Sequence, residues 1–107
     1  MFKQLFWGLA CAAGLALPVG AQAADPPWPS RPVKVVVAGG AGSGTDITAR
    51  IFTEQLARKF QQPFVIDNKV GANGMIATEF VAKQPADGYT LLFAYAAAQT
   101  VNQSLYD

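Results

Sequence analysis

Residues 31–50 read Arg31-Pro-Val-Lys-Val-Val-Val-Ala-Gly-Gly-Ala-Gly-Ser-Gly-Thr-Asp-Ile-Thr-Ala-Arg50. The β-branched run Val33 to Val37 is the pattern of a buried strand. Gly39, Gly40, Gly42 and Gly44 then open a turn, and Thr45 and Asp46 stand where a helix begins. Thr45 is the expected N-cap and Asp46 a first-turn acid. Such a strand–turn–helix aims free backbone N–H groups and the positive end of the helix dipole at one small volume. That volume suits a carboxylate or phosphate. The glycines of Gly40-x-Gly42-x-Gly44 lack the last spacing of the dinucleotide fingerprint, and no Gly-Lys-Ser/Thr follows. A tight turn that binds nothing has the same glycines, so the loop alone leaves both readings open.

Outward from this stretch, 107 residues allow at most one small domain. Residues 1–23 have the pattern of a secretory signal peptide: Lys3 near the start, an apolar run from Leu5 to Val19, and small residues in Ala21-Gln22-Ala23. Cleavage is expected after Ala23. The run is short for a membrane span, and Pro18 sits near its end. Cys11, the one cysteine, lies inside that run, so the mature chain is expected to have neither disulfide nor thiol chemistry. Histidine is absent, which removes the commonest general base and metal ligand. Without Lys3 the chain carries seven basic and seven acidic residues, and no basic patch points to nucleic acid.

Residues 24–32 are a proline-rich lead-in, expected to run extended with Trp28 packed on the body of the domain. The helix after the glycine loop is expected from about Thr45 to Phe60. Its apolar stripe would be Phe52, Leu56 and Phe60, with Ile47 and Ile51 beside them. Phe64-Val-Ile66 is a second strand, ending at Asp67-Asn68. Lys69-Val-Gly-Ala-Asn-Gly74 is a second glycine turn. It leads into a helix over Met75–Lys83 with Ile76, Ala77, Phe80 and Val81 inward. Tyr89 to Ala94 is the third strand, with Leu91, Leu92 and Phe93 buried, and a last helix is expected within Thr100–Tyr106.

The order is β-α-β-α-β, which predicts an α/β fold with a parallel sheet and right-handed crossovers. In such sheets ligands bind beyond the carboxyl ends of the strands. Three turns fall on that edge: Ala38–Asp46, Lys69–Met75 and Ala94–Thr100. Two helix N-termini converging on one rim favour anion binding over an idle turn.

These segments resemble the N-terminal part of the periplasmic receptors of tripartite tricarboxylate transporters, the Bug receptors. The likeness is carried by Trp28-Pro-Ser-Arg-Pro-Val-Lys-Val-Val-Val37 and Gly42-Ser-Gly-Thr-Asp-Ile-Thr-Ala-Arg50. It continues in Asp67-Asn-Lys-Val-Gly-Ala-Asn-Gly74, Val81-Ala-Lys-Gln-Pro-Ala-Asp-Gly-Tyr-Thr-Leu-Leu92 and Asn102-Gln-Ser-Leu-Tyr106. It runs through essentially the whole mature chain. The resemblance implies part of a two-lobed, type II-like periplasmic binding protein that closes on a small carboxylate-bearing molecule. Residues 33–107 would then be a partial N-terminal lobe. The partners it implies are that ligand and the membrane subunits of the transporter. It implies no enzyme activity, cofactor or metal. Carried over by position, the ligand-binding candidates are Gly42, Ser43, Gly44, Thr45 and Asp46, then Gly71, Asn73 and Gly74, then Tyr95, Ala96 and Ala97. The chain departs from the family's usual residues at Ala38-Gly39 and Ala41 in the first loop, at Val70 and Asn73 in the second, and at Tyr95.

Two other functions compete with a receptor. One is a truncated product that neither folds nor binds. The other is a small exported α/β enzyme acting on an anionic substrate, for which no His, mature Cys, paired carboxylates or Gly-x-Ser-x-Gly elbow is present.

Overall fold

The computed structural model describes Gly20 and residues 23–105. The leader reading and Cys11 fall outside these residues. The first strand, β1 (Val33–Val37), is the centre of a three-stranded parallel sheet of order β2-β1-β3, with β2 at Phe64–Asn68 and β3 at Thr90–Phe93. Val35 lies opposite Ile66 on one side and Leu91 on the other. A strand flanked on both edges and covered on both faces must be apolar throughout. Val33, Val36 and Val37 are accordingly sealed from solvent, and only Lys34 is exposed.

Each crossover contributes one helix: α1 (Gly44–Phe60) between β1 and β2, and α2 (Met75–Ala82) between β2 and β3. On the α1 face, Val35 and Val37 pack with Ala49, joined by Phe64, Ile66 and Phe93. On the α2 face, Val36 and Ala38 pack with Ala77, joined by Phe80, Val81 and Leu92. Ala49 and Ala77 have no solvent exposure, and their small side chains let both helices lie close on the sheet.

That close approach overturns part of the expected stripe on α1, of which Leu56 and Phe60 remain half-buried. The residues α1 buries are Asp46, Ala49 and Thr53, whereas Ile47, Ile51 and Phe52 are more than half exposed. At about 100° per residue, Ile47 and Ile51 sit far round the helix from Ala49 and Thr53, so they never belonged to the inner face. Ile76 of α2 is likewise exposed, at 48 %. Leu91, Leu92 and Phe93 are half-buried rather than buried, because β3 is an edge strand with a partner on one side only. The last helix falls within the expected span, with α3 over Asn102–Leu105 among the described residues.

The lead-in packs against the end of α1, the start of β2 and the turn before β3. The Trp28 ring meets Phe60, Phe64 and Tyr89 at centroid distances of 5.6, 6.4 and 6.3 Å. Its indole N–H donates to the Gly88 carbonyl at 3.2 Å. Arg31 pairs with Asp87 at 3.1 Å and lies 3.7 Å over the Tyr89 ring.

Candidate functional site

At the carboxyl end of β1 the chain passes Ala38 and Gly39 and makes a turn over Gly40–Ser43, closed by Ser43 N–H to the Gly40 carbonyl at 3.0 Å. Gly42 holds φ +84° at the third position, where a type II turn calls for glycine. Ser43, not Thr45, then caps α1: its Oγ accepts the Asp46 N–H at 3.2 Å, and its carbonyl takes the first helical bond from Ile47. The helix therefore starts earlier than expected, at Gly44. The reason is that Ser43 keeps an extended backbone (φ −69°, ψ 162°) while the residues after it are helical.

Asp46 completes a variant of the capping box. Its carboxylate reaches back to Gly42 N–H at 2.9 Å and also accepts from Arg50 Nε and Asn68 Nδ2, each at 2.9 Å. Asn68 Nδ2 donates to the Gly39 carbonyl as well, so the end of β2 is tied to both ends of the glycine loop. Asp46 is only 1 % exposed. The Arg50 hydrogen bond, then the Gly42 N–H, then Asn68 lower its pKa to about 2. The carboxylate is thus ionised and engaged within the loop. The N–H groups of Gly44 and Thr45, the first two of the helix, have no acceptor among the described residues, and Gly44 is exposed.

The second loop is a left-handed turn. Gly71, Ala72, Asn73 and Gly74 all have positive φ, at 129°, 45°, 51° and 86°. The third loop begins at Tyr95 and runs through a short 3-10 turn, Ala96–Ala98. The three loops meet at Gly74. A Cβ there would lie 2.7 Å from Ala98 Cβ, 3.3 Å from the Tyr95 hydroxyl and 3.5 Å from Ala38 Cβ. The Tyr95 hydroxyl donates to Asn73 Oδ1 at 2.9 Å. Ala96 is exposed and Ala97 half-buried.

All eleven candidates therefore fall on one rim, at the carboxyl edge of the sheet. Two further residues shape it that the sequence reading passed over, Asn68 and Asn102. Asn68 had a legible signal: it shares the parity of Phe64 and Ile66, so a polar side chain was aimed at the end of the α1 face. Asn102 had none, since its partner Asn73 lies 29 residues away. Two surface concavities lie elsewhere, one of about 510 Å3 at the amino edge around Arg31, Asp87 and Tyr89, and one of about 420 Å3 beside α1 and β2. Among the described residues no three His, Cys, Asp or Glu side chains gather as a metal site would require, and no helix is long and apolar enough to cross a membrane.

A parallel sheet with its crossing loops gathered at the carboxyl rim is an α/β lobe of the class in which ligands bind at that edge. Residues 48–107 match the family described as tripartite tricarboxylate transporter family receptor, and the chain belongs to that family. Among its relatives, a UPF0065 protein of Bordetella bronchiseptica is 48 % identical over 87 residues, which are 81 % of this chain and 26 % of that protein. The solved structure of Rpa4515 from R. palustris with adipate superposes with a TM-score of 0.60 at 48 % identity, over 61 % of this chain and 22 % of that one. The periplasmic binding protein BugD superposes at 0.58 with 42 % identity, over 61 % and 22 %. MatC from Rhodopseudomonas palustris with bound malate superposes at 0.57 with 42 % identity, over 60 % and 22 %. The chain thus spans about a quarter of the length of the relatives it matches. The family consists of solute-binding receptors, and its solved neighbours are periplasmic binding proteins.

Proposed function

We propose that this chain forms part of the first lobe of a periplasmic receptor that holds a small carboxylate-bearing molecule and delivers it to the membrane subunits of a tripartite transporter. The reading is carried by the carboxyl rim of the sheet, where the second and third loops meet Ala38 of the first at Gly74, and where the Gly44 and Thr45 N–H groups have no acceptor among the described residues. Gly44 and Thr45 would donate to the ligand carboxylate, helped by the helix dipole. That effect is typically worth about 0.3–1 kcal/mol near a surface. Ser43 and Asp46 act behind them: one caps the helix, the other pins the turn that Gly42 makes possible. Gly71, Asn73 and Gly74 form a second side, and Tyr95, Ala96 and Ala97 a third.

The neighbours that hold adipate and malate support a dicarboxylate or a similarly small acid as the ligand. No catalysis is assigned. The Ser43 hydroxyl, the one nucleophile of the first turn, is occupied as a helix cap. Residues 1–23 act in this reading as a cleavable export signal that puts the receptor in the periplasm. Residues 33–107 supply the N-terminal lobe in part, and closure over the ligand falls to a second lobe.

Thermal shift of the protein, at the length its cell makes, against adipate, malate, tricarboxylates, aromatic acids and amides tests this. A ligand at 100 times its Kd adds about 2.7 kcal/mol, a clear rise in Tm. A flat response across the whole panel would end the receptor reading.

A further inference from the structure

Asn102 has no part in the anion-binding loop, yet it is 5 % exposed and its amide is spent on a single residue. Its Oδ1 accepts from Asn73 Nδ2 at 2.8 Å, and its Nδ2 donates to the Asn73 backbone carbonyl at 2.9 Å. Asn73 and Ala72 stand at φ 51° and 45°, a region that side-chain-bearing residues enter at a cost. Asn73 is held there from two directions, because the Tyr95 hydroxyl donates to its amide oxygen. A further tie joins the same two loops: Gln99 donates to Thr78 Oγ1 at 3.0 Å, and Thr78 in turn donates to the Gly74 carbonyl at 3.0 Å.

The side-chain hydrogen bonds around the rim thus fall into two separate sets. The first joins the glycine loop to the end of β2 through Asp46 and Asn68. The second joins the second and third loops through Asn73, Tyr95, Asn102, Gln99 and Thr78. Between the sets Gly74 faces Ala38, where a Cβ added to Gly74 would lie 3.5 Å from Ala38 Cβ.

We propose that Asn102 is a positioning residue of the rim: it locks the left-handed turn at Ala72 and Asn73 and, with Tyr95, makes the second and third loops one rigid wall facing the anion-binding loop. The consequence for ligand affinity rests on the carboxylate reading above, whereas the lock itself is read without ligand. In Asn102→Ala, both bonds to Asn73 are lost while the valine core is untouched.

Amide hydrogen exchange on the protein at the length its cell makes decides the matter. The reporters are the N–H groups of Gly74 and Met75, which bond to the Gly71 and Ala72 carbonyls inside the turn. Asn102→Ala is expected to speed both by about tenfold, the scale of two lost hydrogen bonds, and to leave Val35 and Val36 unchanged. Tyr95→Phe, which removes one hydroxyl, is expected to speed the same two amides about threefold, and it stands in should Asn102→Ala fail to fold. Unchanged Gly74 and Met75 amides, or acceleration only in parallel with Val35 and Val36, would overturn the proposal. With any acid the thermal-shift panel identifies, Asn102→Ala is expected to weaken binding about tenfold; unchanged affinity would overturn the wall's part in binding. A silent panel with fast turn amides would remove the ligand reading and leave the lock standing.

Discussion

Asp46 is an acid in a site proposed to bind acids, and its surroundings explain how both hold. Its charge is spent on Arg50, Gly42 and Asn68, and it braces the loop from within. Its pKa drops from 3.8 to about 2. A depressed carboxylate adds stability above its unfolded pKa and loses it as pH falls through the folded one. Stability measured by denaturant titration should therefore fall between about pH 4 and pH 2 in the wild type. In Asp46→Asn that part of the fall should be missing, and the variant should be the less stable one at pH 7. Glu79 is also held below its usual range by Lys83, but that pair is two-thirds exposed and contributes little to the profile.

The scale of the element is where the start of α1 becomes testable. Ser43→Ala removes the side-chain acceptor for the Asp46 N–H and should cost about 1 kcal/mol. Thr45→Ala sits inside the first turn and should stay within about 0.5 kcal/mol. Chemical denaturation of the two variants separates the possibilities, and a larger loss at Thr45 would return the cap to that residue. The same helix shows how much of an element is legible before packing is known. Its existence, its first-turn acid and its basic end at Arg58 and Lys59 all follow from local chemistry. Its inner face does not. Small side chains won the place against the sheet because a helix carrying Ala49 and Thr53 comes closer to β1 than one carrying Phe52.

Across the whole molecule the two ends of the sheet do different work. The carboxyl end gathers the loops of the proposed site. At the amino end, residues 28–31 fasten onto the turn at Asp87–Tyr89, about 60 residues further along. Trp28→Ala strips the ring from Phe60, Phe64 and Tyr89 and should lower stability by about 2 kcal/mol. Arg31→Ala breaks a half-exposed pair with Asp87 and should cost about 1 kcal/mol or less. Thermal melts of both variants check that order. Trp28→Ala should leave carboxylate binding intact, because no residue of the clasp reaches the rim.

By itself the sequence determined the parallel β-α-β-α-β order, the centrality of Val33–Val37 and the edge on which the glycine loops fall. These follow from short-range rules: β-branched runs, helical periods, and glycine or proline at the breaks. Tertiary structure alone decided which face of α1 is buried, that β3 is only half covered, and that Asn68 and Asn102 hold the loops. It also turned the Asp46 carboxylate inward onto Gly42, Arg50 and Asn68. Each of these depends on partners 22 or more residues away, or on how closely a helix meets a sheet. Local propensity carries no information about such distances, because a side chain's hydrogen-bond partner is chosen only when the loops are brought together.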